Sequence, residues 1–181
     1  MVTKVYGDTG VDKIVDGAVT SSDFAAGVGG KILQVVSATK TDTFSTTSSY
    51  ADITGLSVTI TPSSTSSKIL VHYDVFGSNS GTELVGVRIL RVGAASPLYV
   101  GDTAGSRKVG AKFHRDNSGA YGGNMNGTFL DSPSSTSAET YKVQIGVGSS
   151  STAYVNRVAT DTDNVNFPRG VSSITVMEIA G

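Results

Sequence analysis

The chain lacks cysteine and tryptophan altogether, and only 16% of its 181 residues are charged. The absence of cysteine excludes disulfides, thiolate nucleophiles and cysteine-based zinc sites. The absence of tryptophan removes the largest aromatic side chain that could stack on a sugar ring. Because charge is scarce, the polar surface must come from the 25 serines and 21 threonines, which favour strands and turns over helices.

The chain also lacks a large excess of positive or negative charge, because the formal net charge is -1 and the pI is about 6.1. Such a chain has no overall field to attract nucleic acid or an acidic membrane surface. No stretch approaches the ~18 consecutive apolar residues of a membrane-spanning helix, and no apolar run follows Lys4. We therefore expect no nucleic-acid binding, no membrane insertion and no signal peptide.

Residues 1–30 differ from the rest, because six glycines interrupt every helical or strand pattern within them. Isolated apolar residues recur among polar ones, at Val11, Ile14, Val19 and Phe24. They are too sparse to form a core in one chain, so we predict a stem that buries these side chains between three copies. A partly ordered tail is the alternative that composition leaves open.

Residues 31–181 contain short apolar runs separated by polar turns, at the spacing typical of a sandwich or barrel. In 141–147, Tyr141, Val143, Ile145 and Val147 lie on one face of a strand, and in 68–76 one face comprises Ile69, Val71, Tyr73 and Val75. Candidate strands are 31–37, 56–61, 68–76, 83–91, 108–114, 127–131, 141–147, 153–157 and 172–179. Without a convincing helix, they predict one all-β domain, an antiparallel β-sandwich of jelly-roll-like form, because a single open sheet would leave an apolar face in water.

Two stretches carry a resemblance to known proteins. Residues 12–27, DKIVDGAVTSSDFAAG, are similar to a stem element of the form I-x-D-G-x-V-T-x-x-D-L-A, with Phe24 at the usual leucine. Residues 30–37, 49–62 and 66–71, GKILQVVS, SYADITGLSVTITP and SSKILV, are similar to the distal domain that follows this stem. The chain thus resembles fibre and head-decoration proteins of bacteriophage particles, including marine and cyanobacterial phages.

The resemblance implies a homotrimeric fibre subunit of the phage tail or head, located at the virion surface and made in the host cytoplasm. It implies attachment to capsid or tail proteins through the N-terminal segment, and an outward β domain that contacts the host surface and its glycans. It also implies neither enzymatic activity nor a cofactor. A capsid cement protein that stabilises the head is the alternative, and a free carbohydrate-binding module is a third reading.

Acidic residues that could serve a glycan-degrading enzyme are few. The only glutamates are Glu83, Glu139 and Glu178, and most of the twelve aspartates lie beside Gly, Ser or Thr, where turn chemistry explains them. A glycosidase needs a pair of carboxyl groups, one of them with a raised pKa. We therefore expect no hydrolase and no other enzyme.

The two histidines, His72 and His114, have no second ligand at metal-site spacing in the sequence. Solvent-facing or hydrogen-bonded histidines are favoured, although one histidine per chain on a threefold axis would supply three nitrogens to a metal ion. Residues 161–164, Asp-Thr-Asp-Asn, superficially resemble a calcium loop but lack its glycine and distal glutamate. They favour an Asx-rich turn.

Residues 108–114 predict a strand with Val109, Ala111 and Phe113 on the core face and a basic outer face. The favoured interpretation is a solvated edge strand whose lysines discourage unwanted pairing. The alternative is that the outer face contacts an anionic cell-surface glycan or an acidic capsid patch, helped by the Gly-rich loop 118–126. That contact surface comprises Lys108, Lys112, His114, Tyr121 and Asn124.

Overall fold

The computed structural model describes residues 31–115, 118, 120–148 and 150–181. In these residues the chain is all-β, with two packed antiparallel sheets, so the predicted β-sandwich is confirmed, whereas the jelly-roll-like connectivity stays a prediction. The predicted stem and its residues Val11, Ile14, Val19 and Phe24 lie outside the described residues. In the described part of the chain, no helix is long and apolar enough to cross a membrane.

The described strands are short, as expected for a sandwich of this size. Their bounds are β1 Ile32–Lys40, β2 Phe44–Thr46, β3 Ala51–Ile60, β4 Lys68–Asn79, β5 Leu84–Arg91, β6 Lys112–Arg115, β7 Gly123–Asp131, β8 Glu139–Gly146, β9 Ala153–Val155 and β10 Ser172–Ile179.

The first sheet contains β1, β10, β4 and β7 as neighbours, in that order. The short strands β2 and β9 continue the lines of β1 and β10, because β4 pairs with β10 over its first half and with β9 at its end. The second sheet has the order β3, β8, β5, β6. All of these pairings are antiparallel, so hairpins and cross-overs between the sheets build the fold.

The core lies between the two sheets and follows the period of two that strands impose. On β4, Ile69, Val71, Tyr73 and Val75 are fully buried, as predicted for this face. On β8 the buried set is Tyr141, Val143 and Ile145, with Val147 just beyond the strand. These alternations are confirmed, and each strand therefore presents its remaining residues to the outer face of its sheet.

The two ends of the sandwich are distinguished by which strands begin and end there. Lys68 pairs with Ile179, and Ile179 pairs with Ile32, so the chain enters β1 at the end where β4 begins. We call this the near end. The far end lies at Asn79, roughly 36 Å along β4 at 3.3 Å per residue. The connections β4–β5 and β6–β7 lie at the far end.

Candidate interaction surface

The outer face of the second sheet carries a continuous chain of charged and amide side chains. Gln144 Nε2 donates to Asp52 Oδ1 at 2.6 Å, and Arg88 Nε donates to Gln144 Oε1 at 2.7 Å. Lys142 Nζ lies 2.9 Å from Asp52 Oδ2. Hydrogen bonds from Gln144 and then Lys142 lower the pKa of Asp52. The side chains are thus held in one array, with the carboxylate charged.

Tyr50 lies at the far-end side of this array, with two cations over its ring. The Arg88 guanidinium carbon is 4.0 Å from the ring centroid and Lys108 Nζ is 5.3 Å from it. The Tyr50 hydroxyl donates to the Val109 carbonyl oxygen at 2.8 Å. These distances are within the range of cation–π attraction, and they fix both cations against an aromatic surface. We call Tyr50, Arg88, Lys108 and Phe113 the aromatic–cationic cluster.

Burial shifts the pKa values of Tyr50 and Lys108 in this cluster. It raises the pKa of Tyr50, although the Arg88 charge acts in the opposite direction, so the phenol stays neutral at physiological pH. Burial also lowers the pKa of Lys108, and the nearby Glu83 carboxylate opposes that change. Lys108 Nζ is buried and has no hydrogen-bond partner within the described residues. An anion could therefore reach this ammonium group only if the neighbouring side chains moved aside.

Two glycines make room for the cluster. A Cβ on Gly86 would lie 2.5 Å from the Phe113 ring, and a Cβ on Gly110 would lie 2.5 Å from the Tyr50 hydroxyl oxygen. Both distances are far shorter than a van der Waals contact, so the aromatic groups reach the sheet only because these positions lack side chains. Phe113 nevertheless stays 38% exposed. Its ring adds an apolar patch beside the two cations.

The predicted orientation of the basic strand is wrong at Phe113 and His114, whereas Ala111 packs against the core as predicted. The strand is β6, which begins at Lys112, and its register places His114 opposite the core residue Val85 and Phe113 opposite Gly86. Directly paired residues share a face, so Phe113 lies on the outer face and His114 on the inner one. The register with β5 decides this, and nothing within residues 108–114 reveals it.

The five predicted contact residues do not form one surface. Lys108 belongs to the aromatic–cationic cluster, whereas the His114 ring packs against Gly123 with its Nε2 buried and unpaired in the described part of the chain. Lys112 is exposed on the edge strand β6. Tyr121 is 71% exposed towards the far end, and Asn124 lies opposite Phe76 in the first sheet.

Sequence reasoning missed Tyr50 and Arg88 and placed Phe113 in the core. Tyr50 precedes β3 and Arg88 lies on β5, and these two strands are separated in the sheet by β8. A signal was present in Arg88, because it takes the outward position between the buried Val87 and Ile89. Their convergence depends on strand order, which periodicity does not contain.

Asp131 is a carboxylate with two structural partners. Asp131 Oδ2 accepts hydrogen bonds from Arg91 Nη1 and from the buried Tyr141 hydroxyl, each at 2.7 Å. Because Asp131 is on the first sheet and the other two are on the second, this group ties the sheets together at the near end. Burial, followed by the hydrogen bond to Asp131, raises the pKa of Tyr141 strongly.

Glu178 is fully buried at the near end of β10, and its partners among the described residues are neutral hydrogen-bond donors. Its carboxylate accepts from Gln34 Nε2 at 2.6 Å, from the Ser63 amide and hydroxyl at 2.7 and 2.6 Å, and from Ser67 Oγ at 2.7 Å. Burial acts to raise its pKa, but these donors outweigh it and lower the pKa to about 2. The charged carboxylate thus holds the loop between β3 and β4.

The two histidines and residues 161–164 do not come together in one site. His72 is exposed on the first sheet, with Nδ1 2.8 Å from Thr128 Oγ1. Asp161 is ion-paired with Arg157 at 3.3 Å and Arg169 at 2.6 Å, and the Asn166 amide donates to Asn164 Oδ1 as in an Asx turn. Within the described ranges, no group of three or more His, Asp or Glu side chains is placed to hold a metal ion.

No protein-family model matches this chain, and no curated protein matches it. The likeness to phage fibre and head-decoration proteins therefore stays a prediction from the sequence.

Proposed function

We propose that the chain is a non-enzymatic structural protein of a bacteriophage particle, a homotrimeric tail or head fibre subunit that presents its β-sandwich to the host surface. The observation that carries the adhesive part is the aromatic–cationic cluster. It combines two cations held over the Tyr50 ring with a partly exposed phenylalanine ring. This composition suits a polysaccharide that carries carboxylate or sulfate groups.

The cluster favours adhesion by many weak contacts. Arg88 is held by Gln144 and by the Tyr50 ring, so less side-chain entropy is lost when an anion binds to it. The Phe113 ring can pack against the apolar face of a sugar. A single such contact is weak, but three copies on one fibre raise the overall affinity for a repeating polymer.

The carboxyl groups support a non-enzymatic role. A glycosidase acid needs a raised pKa, so that it holds a proton at neutral pH. In this protein the pKa is instead lowered at Asp42 by a hydrogen bond from Lys40, at Asp52 by Gln144 and Lys142, and at Glu178 by its serine and glutamine donors. Each of these carboxylates accepts hydrogen bonds and is poorly suited to donating a proton.

The strand order supports a jelly-roll-like form of the sandwich. Successive strands β3, β4 and β5 alternate between the sheets, and the first strand β1 lies beside the last strand β10. Two Greek-key crossings with the ends of the chain side by side are what a jelly roll requires. We propose this connectivity as the scaffold that separates the near end, where residues 1–30 join, from the far end.

The test is the binding of purified full-length protein to an array of acidic and neutral polysaccharides. We expect binding to acidic polymers only, reduced at least tenfold by Arg88→Ala combined with Phe113→Ser and unchanged by the control Arg169→Ala. Arg169 is also an exposed arginine but lies in the 156–171 segment, away from the cluster. Equal binding by all three proteins would overturn the adhesive role.

Localisation in the particle separates the fibre from its nearest rival. Gold-labelled antibody against this protein should mark projections from the tail or head of intact particles. A label distributed between capsomers, together with no polysaccharide binding, would favour a cement protein instead. Tight glycan binding by a stable monomer would favour a free carbohydrate-binding module.

A further inference from the structure

The outer face of the first sheet carries a row of apolar side chains that nothing in the described structure covers. Val35 pairs with Met177, Met177 with Leu70, and Leu70 with Leu130, so the four side chains cross the whole sheet on one level. Val35 is 56% exposed and Leu130 is 53% exposed. We call these four residues the apolar row. Ile32 and Leu33, about half exposed, precede it at the near end.

The neighbouring levels of the same face are mostly polar, with Lys68 beside Ile179 towards the near end and Asp74 towards the far end as charged side chains. One level consists of Ser37, Thr175, His72 and Thr128, and the following one of Thr39, Ser173, Asp74 and Asn126. The outer face of the second sheet, by contrast, carries the ionic array of Asp52, Arg88 and Lys142. Depletion of charge around an apolar centre distinguishes the cores of protein interfaces from ordinary surface.

The size of the face constrains its partner. Four strands at about 4.8 Å and three levels at about 6.7 Å give roughly 400 Å², within the range of functional patches on monomers. A stable two-protein interface needs about 800 Å² on each partner. The face is therefore too small to hold a free partner tightly, but large enough for molecules that a second contact already holds together.

We propose that this face is an interface between copies of this chain, with the apolar rows of the copies packed against one another around the symmetry axis. A face with so little charge fits a surface equally poor in charge, and the same face of a second copy is such a surface. Three identical faces can converge on a threefold axis. This inference rests on the homotrimer of the proposed function, whose predicted stem would supply the second contact and a high effective concentration.

The first test uses the full chain with Val35→Glu and Leu130→Glu together. Both side chains are exposed, so the sandwich should still fold, and six carboxylates would face one another in a trimer. We expect wild type and the control Thr59→Glu, an exposed position on the second sheet, to scatter light as about three times 18.5 kDa. On dilution, the double variant should dissociate towards one third of that mass at a concentration at least tenfold higher than wild type does, because only the stem contact remains, and its circular dichroism spectrum should be unchanged.

A second test exploits the absence of cysteine, because Leu130→Cys creates the only thiol in the chain. In assembled protein, maleimide should modify Leu130→Cys at least tenfold more slowly than Thr59→Cys. The difference should disappear when Val35→Glu is added to both.

Three outcomes would overturn the inference. Equal labelling rates, or a double variant that dissociates at the same concentration as wild type, would show that the sandwich faces do not meet, although the homotrimer itself would survive. A monomeric wild type would overturn both the contact between the faces and the homotrimer. A double variant that keeps its mass but no longer co-purifies with particles would assign the face to another virion protein, and unchanged polysaccharide binding per chain would show that the adhesive role is unaffected.

Discussion

Ser172 Oγ donates a hydrogen bond of 2.6 Å to Asn156 Oδ1, and this bond joins the two halves of the interrupted strand beside β4. Asn156 follows β9 and Ser172 begins β10, and both side chains are buried. The Asn156 amide also donates to the carbonyl oxygens of Lys40 and Asp42, at 2.7 and 2.9 Å. The Asn156 side chain thus satisfies the carbonyl groups of Lys40 and Asp42 next to the point where residues 157–171 leave the sheet.

Replacing Asn156 by alanine should destabilise the sandwich by about 3 kcal/mol or more. The substitution removes the donor to the buried carbonyl group of Lys40 and to the partly buried one of Asp42, and it puts alanine at a φ of 61°, a conformation that favours asparagine or glycine. Ser172→Ala removes fewer bonds and should cost ~1–2 kcal/mol. Urea unfolding followed by circular dichroism measures both, and similar small losses would show that Asn156 does not join the strand halves.

Acid should weaken the protein through Glu178. Its pKa is about 2 in the folded protein against an ordinary value of 4.5, so its carboxylate stabilises the fold above about pH 4.5. This contribution is lost as the pH falls from 4.5 to 2. In Glu178→Gln the melting temperature should therefore fall less steeply across that interval, whereas the exposed control Asp163→Asn should follow wild type. Parallel curves for all three proteins would contradict this role.

Adjacent positions on β8 should respond in opposite ways to aspartate. Val143→Asp puts an unpaired charge among fully buried side chains, at a cost of several kcal/mol against a total stability of about 5–15 kcal/mol. We expect no soluble folded protein. Lys142→Asp loses only a surface pair with Asp52 and should cost ~1 kcal/mol. Equal solubility and equal melting temperatures would refute the assigned faces.

Deletion of residues 1–30 should leave a folded sandwich that no longer joins the particle. All core residues of the described structure lie between Ile53 and Val176, so the sheets should keep their circular dichroism spectrum and cooperative melting. Attachment is measured by co-purification with particles that lack their own copy of the protein. If the truncated protein still co-purifies as well as the full chain, the anchor lies in the sandwich and the cement alternative gains support.

The sequence by itself determined the all-β class and the core faces of β4 and β8. In these strands the burial of every second residue is a local property, because neighbouring side chains must point to opposite sides of a pleated strand. Tyr73 and Tyr141, for example, fall in the core by their position in the alternation alone. The predicted stem rests on the same local reasoning but lies outside the described residues.

The tertiary structure decided which surfaces the outward residues form. Nothing in the sequence connects Val35, Leu70, Leu130 and Met177. Only the pairing of β1, β10, β4 and β7 aligns them. Phe113 was predicted to face the core, but pairing with Gly86 turns it outward. The physical reason is that a shift in register by one residue exchanges the two faces of a strand, and register depends on a partner distant in the sequence.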